Sequence, residues 1–116
     1  MTFDDGIVKI YGVENAAEPG NKPKDKLAYK ESYYFGYEKI GLTRHYNAAA
    51  VKEKVDEVIH IQQDRSIRAK DVAVMEDGMQ CRITFVQHGE DENGIRISIL
   101  SLERIGEVYG EIEGHT

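Results

Sequence analysis

One cysteine, two prolines and no tryptophan occur among the 116 residues of this chain. A lone thiol, Cys81, excludes an internal disulfide framework and fits a reducing compartment. Because Cys81 lies in an alternating strand pattern, we expect a buried structural thiol rather than a nucleophile. No apolar run approaches the roughly 20 residues of a membrane-spanning helix, so no membrane association is expected. The first residues also lack the basic and apolar parts of a secretion signal, so secretion by that route is not expected.

Templates for catalysis and for metal binding are also missing. No serine lies in a Gly-x-Ser-x-Gly elbow, and the glycines form no phosphate-cradling loop. Residues 90–94 superficially suggest a calcium loop, but Gly89 and Leu100 stand where that loop needs carboxylates. The histidines are scattered without zinc-site spacing, and His45 and His60 are expected on the surfaces of strands. The sequence therefore predicts a protein that is not an enzyme and needs no cofactor or metal.

Positive charge is in short supply. Acidic residues number 21 against 15 lysines and arginines, which gives a formal net charge of −6. Such a surface repels nucleic acid at long range and does not indicate a specific DNA reader. It remains compatible with a ring through which DNA slides without being gripped.

Strand patterns dominate what is present. Asp77-Gly78 and Asn93-Gly94 are hairpin signals between three predicted strands, residues 72–75, 79–87 and 95–105. In the last two strands, Val86 and Leu100 interrupt the alternation of apolar residues. Such an interruption indicates either a β-bulge or burial on both faces.

The first half of the chain adds strands and one ambiguous segment. Residues 14–26 hold both prolines and many charges, which indicates a polar loop. Residues 48–54 favour a short helix or helical loop, although a single helix running on through Ile61 is the rival interpretation. Four further strands are predicted, the second and third joined by a hairpin near Gly41: residues 7–13, 27–40, 42–47 and 57–63.

The patterns together predict a mainly β fold, a small antiparallel β-barrel or sandwich with one short helix or helical loop. Residues 1–105 are expected to form a single domain, followed by a flexible acidic C-terminal tail, residues 106–116. We also expect residues 1–6 and this tail to become ordered only on docking, because sequence alone shows no burial that would offset their entropy.

Four motifs stand in a recognisable order between residues 33 and 104. An aromatic strand leads into Gly-Leu-Thr-Arg-His-Tyr-Asn-Ala at residues 41–48, and Val-Asp-Glu-Val-Ile-His-Ile follows at residues 55–61. Asp-Gly-Met-Gln-Cys-Arg-Ile-Thr-Phe-Val-Gln occupies residues 77–87, before the last predicted strand. This order resembles the head–tail joining, or head-closure, proteins of tailed bacteriophages and prophages. That family commonly has tyrosine where this chain has Cys81. The cysteine still places an apolar residue at this position of the strand.

The resemblance implies a structural protein of the virion neck, present in the host cytoplasm before assembly. Its copies would associate into a ring beneath the portal, close the channel after DNA packaging and provide the tail-attachment platform. The implied partners are the portal-adaptor ring, tail proteins and further copies of this chain, while packaged DNA passes without specific binding. Two alternatives remain: a neighbouring neck or tail ring component, such as a tail terminator, and a host β-barrel module that binds proteins.

The resemblance also implies a channel-facing gate segment between two strands. Small side chains there would let several copies crowd near a symmetry axis, and helical ambiguity suggests a segment that changes state at low cost. An ordinary helix packed on the barrel is the alternative. The predicted gate residues are Ala48, Ala49, Ala50, Val51, Lys52, Glu53, Lys54 and Val55.

Overall fold

The structure, a computed structural model, describes residues 2–15, 25–38, 55–106 and 112–113. The residues in these ranges form strands and loops but no helix, which confirms the predicted mainly β, antiparallel fold. None of them therefore belongs to an apolar helix of membrane-spanning length. The strands are β1 (Gly6–Asn15), β2 (Asp25–Tyr37), β3 (Glu57–Gln62), β4 (Val72–Val74), β5 (Gln80–Glu90), β6 (Arg96–Arg104) and β7 (Ile112–Glu113).

The pairing of strands β1 to β6 forms a closed cycle. The order is β1-β4-β5-β6-β3-β2, and β2 pairs back with β1 over most of its length. All six pairings in this cycle are antiparallel, whereas β7 adds to β2 in parallel. Each of the six strands thus has a neighbour on both sides. We call this arrangement the closed six-stranded sheet.

The interior of the closed sheet is filled by one apolar cluster. Alternate residues of each strand point inward, so that Ile59 and Ile61 of β3 meet Leu100 and Leu102 of β6. Ile67 joins the cluster from a loop rather than from a strand. Cys81 is 2% exposed and belongs to the same cluster, so the expected buried structural thiol is confirmed.

Both predicted irregularities occur, in different strands. In β5 the register shifts between Ile83 and Phe85, which makes Thr84 the extra residue of a bulge, slightly before the position expected from Val86. In β6 all six residues 97–102 are buried. Their outward-facing members pack with Val58 in a second cluster, on the other face of the sheet from the interior. The strand β6 is therefore buried on both faces.

The ambiguous segment resolves in part. Strand β3 pairs with β2 and β6, so a helix continuing through Ile61 is wrong, because these backbone groups bond to neighbouring strands. The predicted hairpin near Gly41, the strand at residues 42–47 and the helical stretch at residues 48–54 lie outside the described residues. We refer to residues 38–56, which join β2 to β3, as the β2–β3 connection.

The chain termini contact the sheet more than the sequence indicates. The Asp5 amide donates to the Phe35 carbonyl at 2.9 Å, and the Asp5 carboxylate accepts from the Tyr37 amide at 2.8 Å. The expectation that the N-terminal residues order only on docking is therefore wrong for residues 2–6. At the other end, Ile112–Glu113 pair with β2. The flexible tail at residues 106–116 otherwise stays a prediction.

Candidate functional site

The predicted gate falls mostly outside the described residues. Of its eight residues only Val55 is described, and its half-buried side chain packs against the outer-face cluster that contains Val58. The relative positions of the predicted gate residues are therefore outside what the structure describes. It does define both ends of the β2–β3 connection, and these ends form the candidate site.

Both ends of the connection are bonded to the sheet. The Glu38 amide donates to the Val58 carbonyl at 2.8 Å, and the Asp56 amide donates to the Leu102 carbonyl at 2.8 Å. The Asp56 carboxylate also accepts from the Arg104 amide at 2.8 Å. Since β2, β3 and β6 are consecutive neighbours in the closed sheet, the connection leaves and returns at the same end. We call these bonded ends the root of the connection.

Carboxylates converge at this end of the sheet. Tyr37 is 47% exposed, and the partial burial of its hydroxyl raises its pKa, as do the negative charges of Glu57, Asp77 and Asp5. These residues come from the start of β3, the β4–β5 turn and the N-terminal segment, so three separate parts of the chain place acids around the end of β2. Three carboxylates therefore lie near the end of β2, and Arg104, whose amide bonds to Asp56, brings a positive charge to the same end of the sheet.

A buried histidine links the root to the N-terminal segment. His60 is 4% exposed, and its Nδ1 lies 3.1 Å from Oε1 of Glu38, whose side chain is also buried. The other ring nitrogen, Nε2, contacts the carbonyl oxygen of Thr2. The expectation that His60 lies on a strand surface is therefore wrong, because the N-terminal segment covers that face of β3.

Gly36 makes this covering possible. A Cβ at that position would collide with the Thr2 carbonyl oxygen and with the His60 ring. Phe3 completes the contact, with its ring edge-to-face on His60 at a centroid distance of 5.2 Å. The glycine inside an aromatic strand was the signal that could have indicated a close backbone approach here.

A second polar network stands elsewhere in the fold. The Tyr33 hydroxyl donates to Asp64, which also accepts from the Ser66 amide and hydroxyl at 2.8 and 2.6 Å. The Asp64 amide donates to Ser98 Oγ at 3.0 Å, and Ser98 Oγ lies 2.8 Å from His88 Nδ1. Although it contains a serine and a histidine, the network cannot present a nucleophile, because Ser98 is 0% exposed. It anchors the loop that follows β3.

We expect this anchor to make stability depend on acid pH through Asp64. Partial burial opposes ionisation of Asp64, but hydrogen bonds from Ser66 and Tyr33 outweigh it and lower its pKa. A lowered folded-state pKa means that the stabilisation is present above the unfolded-state pKa and is lost as pH falls through the folded-state pKa. Asp64→Asn should cost about 1–3 kcal/mol at neutral pH and less in acid.

Urea unfolding of both proteins at about pH 7 and about pH 3 measures this difference. Glu90→Gln, which removes one negative charge at an exposed position, is the control and should change stability little at either pH. An Asp64→Asn cost that stays the same in acid would contradict the assignment.

The residues that the structure describes contain no candidate metal-binding site. Within them, no group of three or more His, Cys, Asp and Glu side chains could hold a metal ion. In the calcium-like turn, Asp91 Oδ1 accepts from the amides of Asn93 and Ile95 at 2.8 and 2.9 Å. These bonds, the Ile95 bond foremost, lower the pKa of Asp91. The Asp91 carboxylate therefore stabilises the turn between β5 and β6 by accepting these two backbone hydrogen bonds.

One open groove lies on the outer face of the closed sheet. Its volume is about 350 Å³. Two of its apolar side chains are unusually open to solvent: Tyr34 is 67% exposed and Ile95 is 49% exposed. Exposed aromatic and aliphatic side chains around a concave surface are typical of protein contacts. The groove is lined by Phe3, Ser32, Tyr33, Tyr34, Gln62 and Ile95.

Two features thus stand out as candidates for function: the acidic root with its buried His60–Glu38 pair, and the exposed groove. Neither has the geometry of a reaction centre in the described residues. No protein-family model matches this chain, and no curated protein matches it.

Proposed function

We propose that this chain is a non-enzymatic structural protein of the bacteriophage or prophage neck. In that role its copies form a ring on the portal adaptor, close the channel after packaging and offer a platform to the tail. The motif order across residues 33–104 supports the proposal at the level of sequence. The structural observation that carries it is the root: both ends of the β2–β3 connection are bonded side by side at the acidic end of the closed sheet.

This arrangement suits a gate. A closed sheet is a rigid support because its backbone bonds are satisfied around the cycle. A connection fixed at both ends can change its conformation without breaking the sheet that holds it. The carboxylates near the root, Asp5, Glu57 and Asp77, would repel DNA that passes close by. Packaged DNA would then move through the ring without binding to it.

The groove supplies a surface for neighbouring copies. Closed rings use heterologous contacts, in which one patch of a subunit meets a different patch of the next. Aromatic side chains at the centre of such contacts carry much of the binding energy. Tyr34 and Ile95 are exposed in the single chain and would be covered by the neighbouring copy in the ring.

Electron microscopy of the protein mixed with its portal–adaptor complex tests the proposal. We expect a ring of density on the adaptor, and we expect Tyr34→Glu to weaken ring formation at least about tenfold while the subunit stays folded. Ala69→Glu adds the same charge at an exposed loop position outside the groove and serves as the control.

Other results would point elsewhere. Density at the end of isolated tails, with none on the adaptor, would favour a tail-terminator role. Absence of binding to either assembly would contradict a neck function and leave a host protein-binding module as the better explanation. Equal loss of ring formation in both variants would show that Tyr34 is not at the contact.

A further inference from the structure

Strand β2 has one incomplete edge. On the side away from β1, β3 pairs with Phe35–Tyr37 and β7 pairs with Leu27–Ala28. Between these two pairings, residues 31–34 have β1 on one side and no described strand on the other. We call this second side of residues 31–34 the open edge of β2.

The Ser32 amide offers a hydrogen bond on the open edge. Successive residues of a strand point their backbone groups to opposite edges. The Glu38 amide points to β3, where it bonds to the Val58 carbonyl, so the Ser32 amide, six positions earlier, points to the same side. With no described strand there, it donates to Oε1 of Glu31 at 3.0 Å. A side chain of β2 itself thus occupies the position that the carbonyl oxygen of an added strand would take.

The groove lies along the open edge. Its lining includes Ser32, Tyr33 and Tyr34 from the edge itself, and Ile95 from the turn between β5 and β6. Tyr34 and Ile95 are both exposed, so apolar surface stands beside backbone that no described strand covers. Sheets that bind peptides combine these two features, because backbone bonds give affinity and pockets for alternate side chains select the sequence.

The neighbouring pairings restrict what can reach the open edge. Both β3 and β7 lie beside β2 just beyond its two ends. The edge strand of a second folded sheet would meet β3 or β7 before it reached the backbone of residues 31–34. A single extended segment has no such flanking strands and can lie between them. The open edge therefore fits a segment rather than a folded sheet.

The charges at the open edge indicate the chemistry of that segment. Lys30 is already paired, because its Nζ lies 2.8 Å from the Asp71 carboxylate. Glu31 is exposed, and an added strand that bonded to the amide of the next residue would release its carboxylate. A released carboxylate favours a lysine or an arginine. At the other end of the groove, Glu92 and Arg96 have opposite charges, so Glu31 determines the preference.

We propose that the open edge of β2 binds an extended segment of another polypeptide as an additional strand. The segment places an apolar side chain in the groove and a lysine or arginine at Glu31. This side of β2 already accepts a strand, since β7 pairs with it at Leu27–Ala28. In the ring, the neighbouring copy would supply the segment, and that step rests on the proposed neck function. The binding itself is a property of the isolated chain.

NMR titration of the full chain with a synthetic peptide tests the proposal. The probe is acetyl-Lys-Val-Thr-Ile-Thr-Val-Lys-amide, which has apolar residues on one face of a strand and a lysine at each end. We expect a dissociation constant of about 1 mM or lower, with slowed hydrogen exchange at the Ser32 amide. Absence of binding would contradict the proposal. Slow exchange of this amide before peptide is added would show that the chain fills its own edge, and would also contradict it.

Two N-methylated forms of the peptide separate strand addition from simple apolar contact. Each form carries methyl groups on alternate backbone amides, and the two forms block opposite edges of the extended peptide. Since only one edge of an added strand faces β2, one form should bind like the parent peptide and the other at least about tenfold more weakly. Equal affinities for the two forms would mean that the backbone of the peptide does not pair with the open edge.

Variants of the protein test the same contact from the other side. Ser32→Pro removes the amide that faces the open edge and should weaken binding at least about tenfold, with folding checked by circular dichroism. Glu31→Lys should weaken binding of the lysine peptide and strengthen binding of the same peptide with glutamate at both ends. Glu76→Lys makes the same charge change at an exposed position outside the groove and is the control.

The charge exchange keeps the test decisive if Ser32→Pro does not fold. A Glu31→Lys protein that binds both peptides as the wild type does would exclude the contact with Glu31. All of these measurements use the isolated chain and a synthetic peptide. They can therefore fail while the ring on the portal adaptor forms, and they can succeed while it does not.

Discussion

Deleting residues 49–53 is expected to leave the closed sheet folded and to abolish retention of packaged DNA. The described residues of β1–β6, together with Ile67 and Met75 from loops, already form an interior apolar cluster. The root bonds of Glu38 and Asp56 also lie outside the deletion. Rings of the variant should still bind the portal adaptor, while nuclease should digest most of the DNA that leaks from filled capsids.

A linker of glycine and serine with the same length as residues 49–53 provides the matched control for the length of the connection. If this variant also leaks DNA, the side chains of residues 49–53 are needed for retention, and the length of the connection alone is not sufficient. Retention at the wild-type level by the deletion ring would eliminate the gate. Loss of folding, measured by circular dichroism, would instead favour the alternative in which residues 48–54 form a helix packed on the sheet.

Truncating Leu100 to alanine should cost about 2–5 kcal/mol of the free energy of unfolding. Leu100 is 0% exposed at the centre of β6, and it packs in the interior cluster. Because β6 is buried on both faces, its neighbours cannot easily move in to fill the space. The variant should unfold at a clearly lower urea concentration with an unchanged slope of the transition.

The matched control is Ile95→Ala, which removes apolar atoms next to the same strand at a position that is 49% exposed. It should change the free energy of unfolding by less than about 0.5 kcal/mol in the isolated chain. Equal losses in the two variants would mean that the interior cluster does not dominate stability. A steep change in slope for Leu100→Ala would indicate partial unfolding rather than a simple cavity.

Alternation of apolar residues predicted most of the strands because one face of each is buried in the closed sheet. It could not decide between helix and strand near Ile59 and Ile61, since those two residues fit both periods. Pairing of β3 with two neighbours decided that question. Ile67 escaped prediction because it enters the core from a loop, where no periodic pattern indicates burial.

The site was harder to predict than the fold. His60 looked like a surface residue because strand alternation gives no information on what covers the outer face. Its partners, the Thr2 carbonyl and Glu38, are 58 and 22 positions away in the chain, so local patterns do not connect them. Gly36 carried the one available signal, a residue without a side chain where two parts of the backbone come close.

The position of the root also has a mechanical consequence. A pulling force on the β2–β3 connection acts along β2 and β3. These two strands pair with each other, and all six residues of β3 also pair with β6. Such a load shears many backbone bonds at once instead of opening them one after another. If the connection is the gate of the proposed neck ring, β2 and β3 would therefore keep their register while it is under load.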